Sequence, residues 1–252
     1  MEKSLKESLV KVPAVTFGFW AIKILATTLG ETGGDAVSMS MNLGYLVGTA
    51  IFMVVFVAAV VAQIRADKFH PLLYWGTIVA STTVGTTMAD YATRSLGIGY
   101  AGGSALLLAL LATCIFVWYR SLGTIDVASI SSPISEFYYW LTIMFSQTLG
   151  TALGDWTADT AGLGYLGAAA IFGGLLLAVT ALYFFTKVSR TALFWTAFVL
   201  TRPLGAVVGD FLDKPAAKGG LELSRYTATG VLLVAILILV FVLPQRPAQK
   251  AH

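Results

Sequence analysis

The sequence predicts an all-α polytopic membrane protein. Its eight transmembrane helices form four parallel helical-hairpin repeats in two fused pairs, with both termini cytoplasmic. Three observations predict it. Of 252 residues, 57% are hydrophobic and only 12% charged, with mean hydropathy +0.81, where a soluble domain carries about 25% charged residues. The charge deficit runs the whole length and breaks into eight apolar segments, each near the ~20 residues that cross a hydrocarbon core as a helix. One sequence unit also recurs four times at fixed spacing.

The segments are 13–35, 43–64, 71–93, 98–119, 134–158, 163–186, 190–212 and 223–243. The first follows a short charged stretch, MEKSLKESLVKVP, which lacks the small-residue cleavage pattern of a secretory signal, so this helix is expected to stay in the chain. The breaks (RADKFHP, RSLG, DKPAAKGG) carry the Gly, Pro and charges of loops. The longest, 121–133, joins two halves of a single membrane domain spanning 1–252. The repeats run 13–66, 70–120, 134–187 and 190–244.

Orientation follows from the basic residues. The N-terminus, even-to-odd loops and C-terminus hold Lys3, Lys6, Lys11, Arg65, Lys68, Arg120, Lys187, Arg190, Arg246 and Lys250; the other side holds Arg94, Lys214, Lys218 and Arg225. That imbalance places both termini in the cytoplasm. The basic residues are scattered, which argues against nucleic acid as a partner. Cys114 is the single cysteine, and His70 and His252 are the only histidines, so an intrachain disulfide and a His-rich metal site are excluded.

The repeat fixes the fold most firmly. Trp20, Trp75, Trp140 and Trp195 recur at spacings of 55, 65 and 55, and Gly30, Gly85, Gly150, Gly205 and Asp35, Asp90, Asp155, Asp210 follow in step. An aromatic precedes each Trp: Phe19, Tyr74, Tyr139 and Phe194. Thr28, Thr83 and Thr148 stand two before the glycine, and Pro203 replaces them in the last copy. Parallel copies put equivalent residues at one depth. These four tandem units, with the opening KVPAVTFGFWAIKILATTLGETGGD, resemble the family of uncharacterised bacterial membrane-anchored proteins. The resemblance covers nearly the whole chain and implies eight helices in a bacterial inner membrane, with no settled substrate or catalytic residue.

The candidate site is acidic. Glu31 and Asp35 are four apart, on one helical face. A carboxylate in hydrocarbon costs about 2.5–3.5 kcal/mol, so Asp35, Asp90, Asp155 and Asp210 should face the bundle interior, a wet cavity or the far interface. Each lies roughly 18–22 residues into its segment, where a Gly-Asp pair can also simply close a helix. The Thr-before-Gly pattern offers two readings. A helix broken at Gly would free carbonyls beside a cavity, giving oxygen ligands for a hard cation; alternatively Thr bonds back to its own helix and Gly permits close packing. STTVGTTMAD superficially matches a potassium-channel filter, but too few residues precede it for a crossing plus a pore helix.

Lys23 and Arg202 each occur in one copy only. Lys23 reads as snorkelling to the cytoplasmic interface, and Arg202 as pairing with Asp210 or Glu31. The Trp residues read as a membrane-interface belt, with Tyr45, Tyr100, Tyr165 and Tyr226 as the outer belt. Gly44, Gly48, Gly99, Gly103, Gly164 and Gly167 read as packing faces between odd and even helices. No Ser-His pair, Cys cluster or phosphate loop suggests an enzyme, and no cofactor is expected. The partners are the lipid bilayer and a small cation or proton; a homo-oligomer is compatible with the sequence.

The expected function is therefore transport of a small cation, either a manganese-like divalent metal or proton-coupled exchange. Glu31, Asp35, Asp90, Asp155 and Asp210 line the path as tentative metal ligands, Thr28, Thr83 and Thr148 assist, and Lys23 and Arg202 gate. A cation channel, a non-transporting sensor or structural component, and a carrier of a small organic or anionic solute are the alternatives. The site is expected where the first and fourth hairpins meet.

Overall fold

A computed structural model describes residues 10–248. Lys3, Lys6, Lys250 and His252, used in the charge reading, lie outside them. Eight α-helices follow one another: α1 (Phe17–Asp35), α2 (Gly44–Arg65), α3 (Pro71–Asp90), α4 (Gly99–Leu122), α5 (Pro133–Asp155), α6 (Gly164–Phe185), α7 (Arg190–Asp213) and α8 (Arg225–Val242). Their starts are set locally. Thr16 accepts the Phe19 N–H ahead of α1, Pro71 opens α3, and Ser132 and Ser135 cap α5 reciprocally. After Asp35, Asp90 and Asp155 the chain makes a five-residue π-helical turn, then a glycine with positive φ (Gly44, Gly99, Gly164) admits the next helix. Those three glycines serve the turn, not the packing expected of them. Gly48 and Gly103 do pack, against Thr87 and Thr93.

The odd helices α1, α3, α5 and α7 form a closed inner ring, each packed on the next and α7 on α1. The even helices lie outside it, and here the hairpin expectation needs correction. An even helix does not pack along its own hairpin partner but on the odd helix of the following repeat: α2 on α3, α4 on α5, α6 on α7, and α8 back on α1. The four repeats are thereby interlocked as a pinwheel.

Glycine makes the ring possible. A Cβ on Gly30 would collide with Thr82, on Gly85 with Gln147, on Gly150 with Arg202 and on Gly205 with Thr27. These four partners occupy one repeat position, so each seam is the same contact carried round the ring. A hydroxyl reinforces two seams: Thr82 Oγ1 donates to the Ala26 carbonyl at 3.1 Å and Thr27 Oγ1 to the Thr201 carbonyl at 3.2 Å. This is small-residue packing sealed by hydrogen bonds.

Five helices, α2, α4, α6, α7 and α8, are long and apolar enough to cross a membrane. The outer ones expose their apolar faces, as at Val54, Leu177 and Phe241, an extent of exposed apolar surface that water does not favour. Helices α1, α3 and α5, of 19, 20 and 23 residues, are more polar and enclosed by the others.

One end of the ring is aromatic. Phe19 meets Trp75, Tyr74 meets Trp140, Tyr139 meets Trp195 and Phe194 meets Trp20, at centroid separations of 5.4, 5.7, 6.0 and 5.8 Å. Trp75, Trp140 and Trp195 are buried. The interface-belt reading is thus corrected for these three, which seal the ring from within, while Trp20 is half-buried.

Two straps cover this end. The segment before α1 pairs with the segment after α8 through Ala14 N–H to the Arg246 carbonyl (2.7 Å) and Ala248 N–H to the Val12 carbonyl (2.8 Å), so the two described ends lie together. The connection between α4 and α5 forms the other strap. Trp75 Nε1 donates to Gln245 and Trp195 Nε1 to the Ile125 carbonyl, equivalent contacts in the two halves. Lys11 fastens the first strap: its ammonium donates to the Gln63, Ile64 and Ala66 carbonyls at the end of α2 and pairs with Glu136 at 2.6 Å. Lys11→Met should lower stability by about 2 kcal/mol, read by thermal unfolding in detergent, and part of that loss should return in the double variant with Glu136→Gln. A Lys11→Met protein as stable as wild type would show that the strap is not held there.

Candidate functional site

Toward the other end the ring interior turns polar in successive layers. Lys23 shares its layer with Ile78, Ile143 and Phe198, all fully buried. It does not reach an interface, so the snorkelling reading is corrected. Its ammonium lies 4.1 Å from the centroid of the Phe198 ring and 3.4 Å from Thr201 Oγ1. The next layer holds Thr27, Thr82, Gln147 and Arg202, and the one after it Glu31, Thr86, Thr151 and Ala206.

Arg202 reaches across the axis from α7. Its Nη2 donates to Glu31 Oε2 on α1 (3.0 Å), Thr86 Oγ1 on α3 (2.6 Å) and Thr151 Oγ1 on α5 (2.5 Å). One nitrogen therefore ties all four inner helices together. Thr86 Oγ1 lies 3.2 Å from the same Glu31 oxygen, and α7 comes close enough to α1 for this pairing because Gly209 leaves room against the Glu31 Cβ.

The four repeated aspartates close the polar end, one per inner helix, and all are buried. They end their α-helices at Asp35, Asp90 and Asp155, as a helix-closing residue would, but their side chains are held by cations inside the bundle. They are shared between two of these. Arg94 bridges Asp90 of its own repeat (3.0 Å) and Asp155 of the next (3.1 Å). Lys214 bridges Asp210 of its own repeat (3.0 Å) and Asp35 of the first, in a short contact. Arg94 and Lys214 occupy equivalent positions in the two halves, each four residues after its aspartate, so the acidic end has the symmetry of the fused pairs and not of a fourfold ring. Arg225 adds contacts to Asp213 (3.1 Å), Asp35 (3.8 Å) and Ser40. Arg94 also donates to the hydroxyls of Tyr45 and Tyr100, two of the expected outer-belt tyrosines. Lys214 lies just past the last residue of α7. Burial opposes its charge, but Asp210, Asp35 and Asp213 outweigh burial and hold the ammonium above the ordinary lysine range.

Carboxylate oxygens of Glu31, Asp35 and Asp210 all lie within 4.8 Å of one another, where α1 meets α7. Oxygen donors at this spacing suit a hard cation. Asp90 and Asp155 form the second pair, without a counterpart of Glu31. The hydroxyls of Thr28, Thr83 and Thr148 donate to the carbonyls of Ile24, Val79 and Met144 in their own helices. The inner helices run unbroken through Gly30, Gly85, Gly150 and Gly205, so no carbonyls are freed there and the broken-helix reading is corrected. Thr86, Thr151, Arg94, Lys214 and Arg225 are the contributors that hydropathy and repeat reading passed over.

The description "Repeat of Unknown Function (DUF347)" fits the chain four times in succession, over residues 18–69, 73–124, 138–189 and 193–244. The chain belongs to this repeat family. Each DUF347 repeat thus supplies one inner and one outer helix of the pinwheel, together with the turn that carries the acidic end. No curated protein and no solved structure matches the chain.

Proposed function

We propose that this four-repeat protein carries a small cation across a bacterial inner membrane, with all eight helices crossing and the aromatic end in the cytoplasm. The observation that carries the reading is the buried cluster of Glu31, Asp35 and Asp210. Ionisable groups enclosed in a membrane bundle mark ion or proton pathways. Each carboxylate of the cluster already faces a tethered cation, Arg202 against Glu31 and Lys214 against Asp35 and Asp210. An arriving cation, either a proton or a manganese-like divalent metal, competes with these side chains for the same oxygens, and their return expels it. The excess of Lys and Arg at the aromatic end supports the orientation. The aromatic layer and straps close the path on that side, so passage requires them to part.

Purified protein in liposomes, tested with a panel of divalent metals and a pH dye, examines this directly. Wild type should move one cation, and Glu31→Gln and Asp35→Asn should each slow that flux about tenfold or more. Variants that transport at the wild-type rate would remove the cluster from the path.

A further inference from the structure

The ring interior below the aspartates holds buried hydrogen-bond donors that the cation reading does not use. Lys23 and Arg202 are both 0% exposed. Among the described residues Lys23 forms no ion pair, and Arg202 pairs with Glu31 alone. Only Nη2 of the guanidinium is bonded; Nε and Nη1 are buried without a partner. The hydroxyl of Ser146, in the layer of Thr201, is also buried without a partner. A guanidinium stays charged wherever it is placed, and buried charges are paired or bind an ion. Lys23 has no carboxylate partner, and the unused donors of Arg202 have no acceptor.

We propose that a chloride-sized monovalent anion binds in the axis between Lys23 and Arg202. Such an anion accepts hydrogen bonds and donates none, which suits a group of buried donors without acceptors. Nε and Nη1 of Arg202 and the Lys23 ammonium donate to it, with Ser146 in reach of the same layer. The site uses the two nitrogens of Arg202 that do not bond Glu31, and it stands whether or not the Glu31, Asp35 and Asp210 cluster carries a cation.

The test is thermal unfolding of the full chain in detergent, with sodium chloride replacing sodium gluconate at constant ionic strength. The midpoint should rise saturably, by about 3–6 °C once chloride is at roughly ten times its Kd, and bromide should substitute. Lys23→Met should lose the saturable rise, whereas Lys218→Met, altered outside the ring, should keep it. No saturable rise in wild type, or an undiminished one in Lys23→Met, overturns the proposal. If Lys23→Met does not fold, bromide-soaked crystals of wild type decide. An anomalous peak between Lys23 and Arg202 supports the site, and peaks confined to the surface overturn it.

Discussion

Arg202→Met should destabilise the protein by about 3–5 kcal/mol, the cost of leaving one member of a buried ion pair without the other. Glu31 is enclosed, and Arg202 is the only cation that pairs with it among the described residues. The same substitution removes the bonds to Thr86 and Thr151, so two seams of the ring and one contact across it loosen together. Glu31→Gln added to Arg202→Met should restore a large part of the loss, because the amide needs no counter-charge. The coupling between the two changes should exceed about 1 kcal/mol in a double-mutant cycle. Unfolding in detergent measures it, and strictly additive effects would contradict the pairing. Arg94→Met provides a contrast. Its side chain is 29% exposed, so solvent already screens part of its attraction to Asp90 and Asp155 and the loss should be smaller.

The Arg202–Glu31 pair was legible because charge inside an apolar run stands out and each residue has no copy in the other repeats. Arg94 and Lys214 were hidden by the same reasoning. Both fall past the end of an apolar run, where a basic residue reads as a loop charge that reports orientation. The signal that finds them is spacing: each follows its aspartate by four residues, the distance of one helical turn. The even-to-odd swap could not be read at all. Hydropathy marks where helices lie along the chain, and two hairpin arms of equal length fit either their own partner or the next repeat's. A trace of it was present, since the odd segments are richer in Thr and acids than the even ones, as inner helices should be. That trace also undercuts the belt reading of the tryptophans, which holds only for residues facing lipid. The paired threonines were ambiguous for a geometric reason. In TTLG and TTVG adjacent hydroxyls point about 100° apart on a helix, and it is the first, Thr27 or Thr82, that reaches the neighbouring helix, while Thr28 and Thr83 turn back.

Replacing a ring glycine by alanine should cost about 3 kcal/mol, at the upper end for overpacking, because at three of the four the new methyl meets backbone. On Gly205 it would lie 2.8 Å from the Thr27 carbonyl carbon, on Gly30 2.9 Å from that of Thr82, and on Gly85 2.9 Å from that of Gln147. A side chain could rotate away; a helix backbone can only retreat, and in a closed ring one retreating helix disturbs both of its neighbours. Gly150→Ala should be the most harmful, since its methyl meets Cβ and Cγ of Arg202 and displaces the guanidinium from Glu31, Thr86 and Thr151. Gly76, Gly173 and Gly174 supply the comparison: a Cβ there meets nothing within 4 Å, and alanine at each should leave stability unchanged or slightly improved. Unfolding midpoints of the seven single variants would separate the two groups. Equal midpoints would mean that the inner helices do not close on one another. A closed ring also explains why the glycine recurs in all four copies while Arg202 and Glu31 do not: each seam needs the same small contact, whereas the axis needs only one Arg202 and one Glu31 to bind the four helices at a single point.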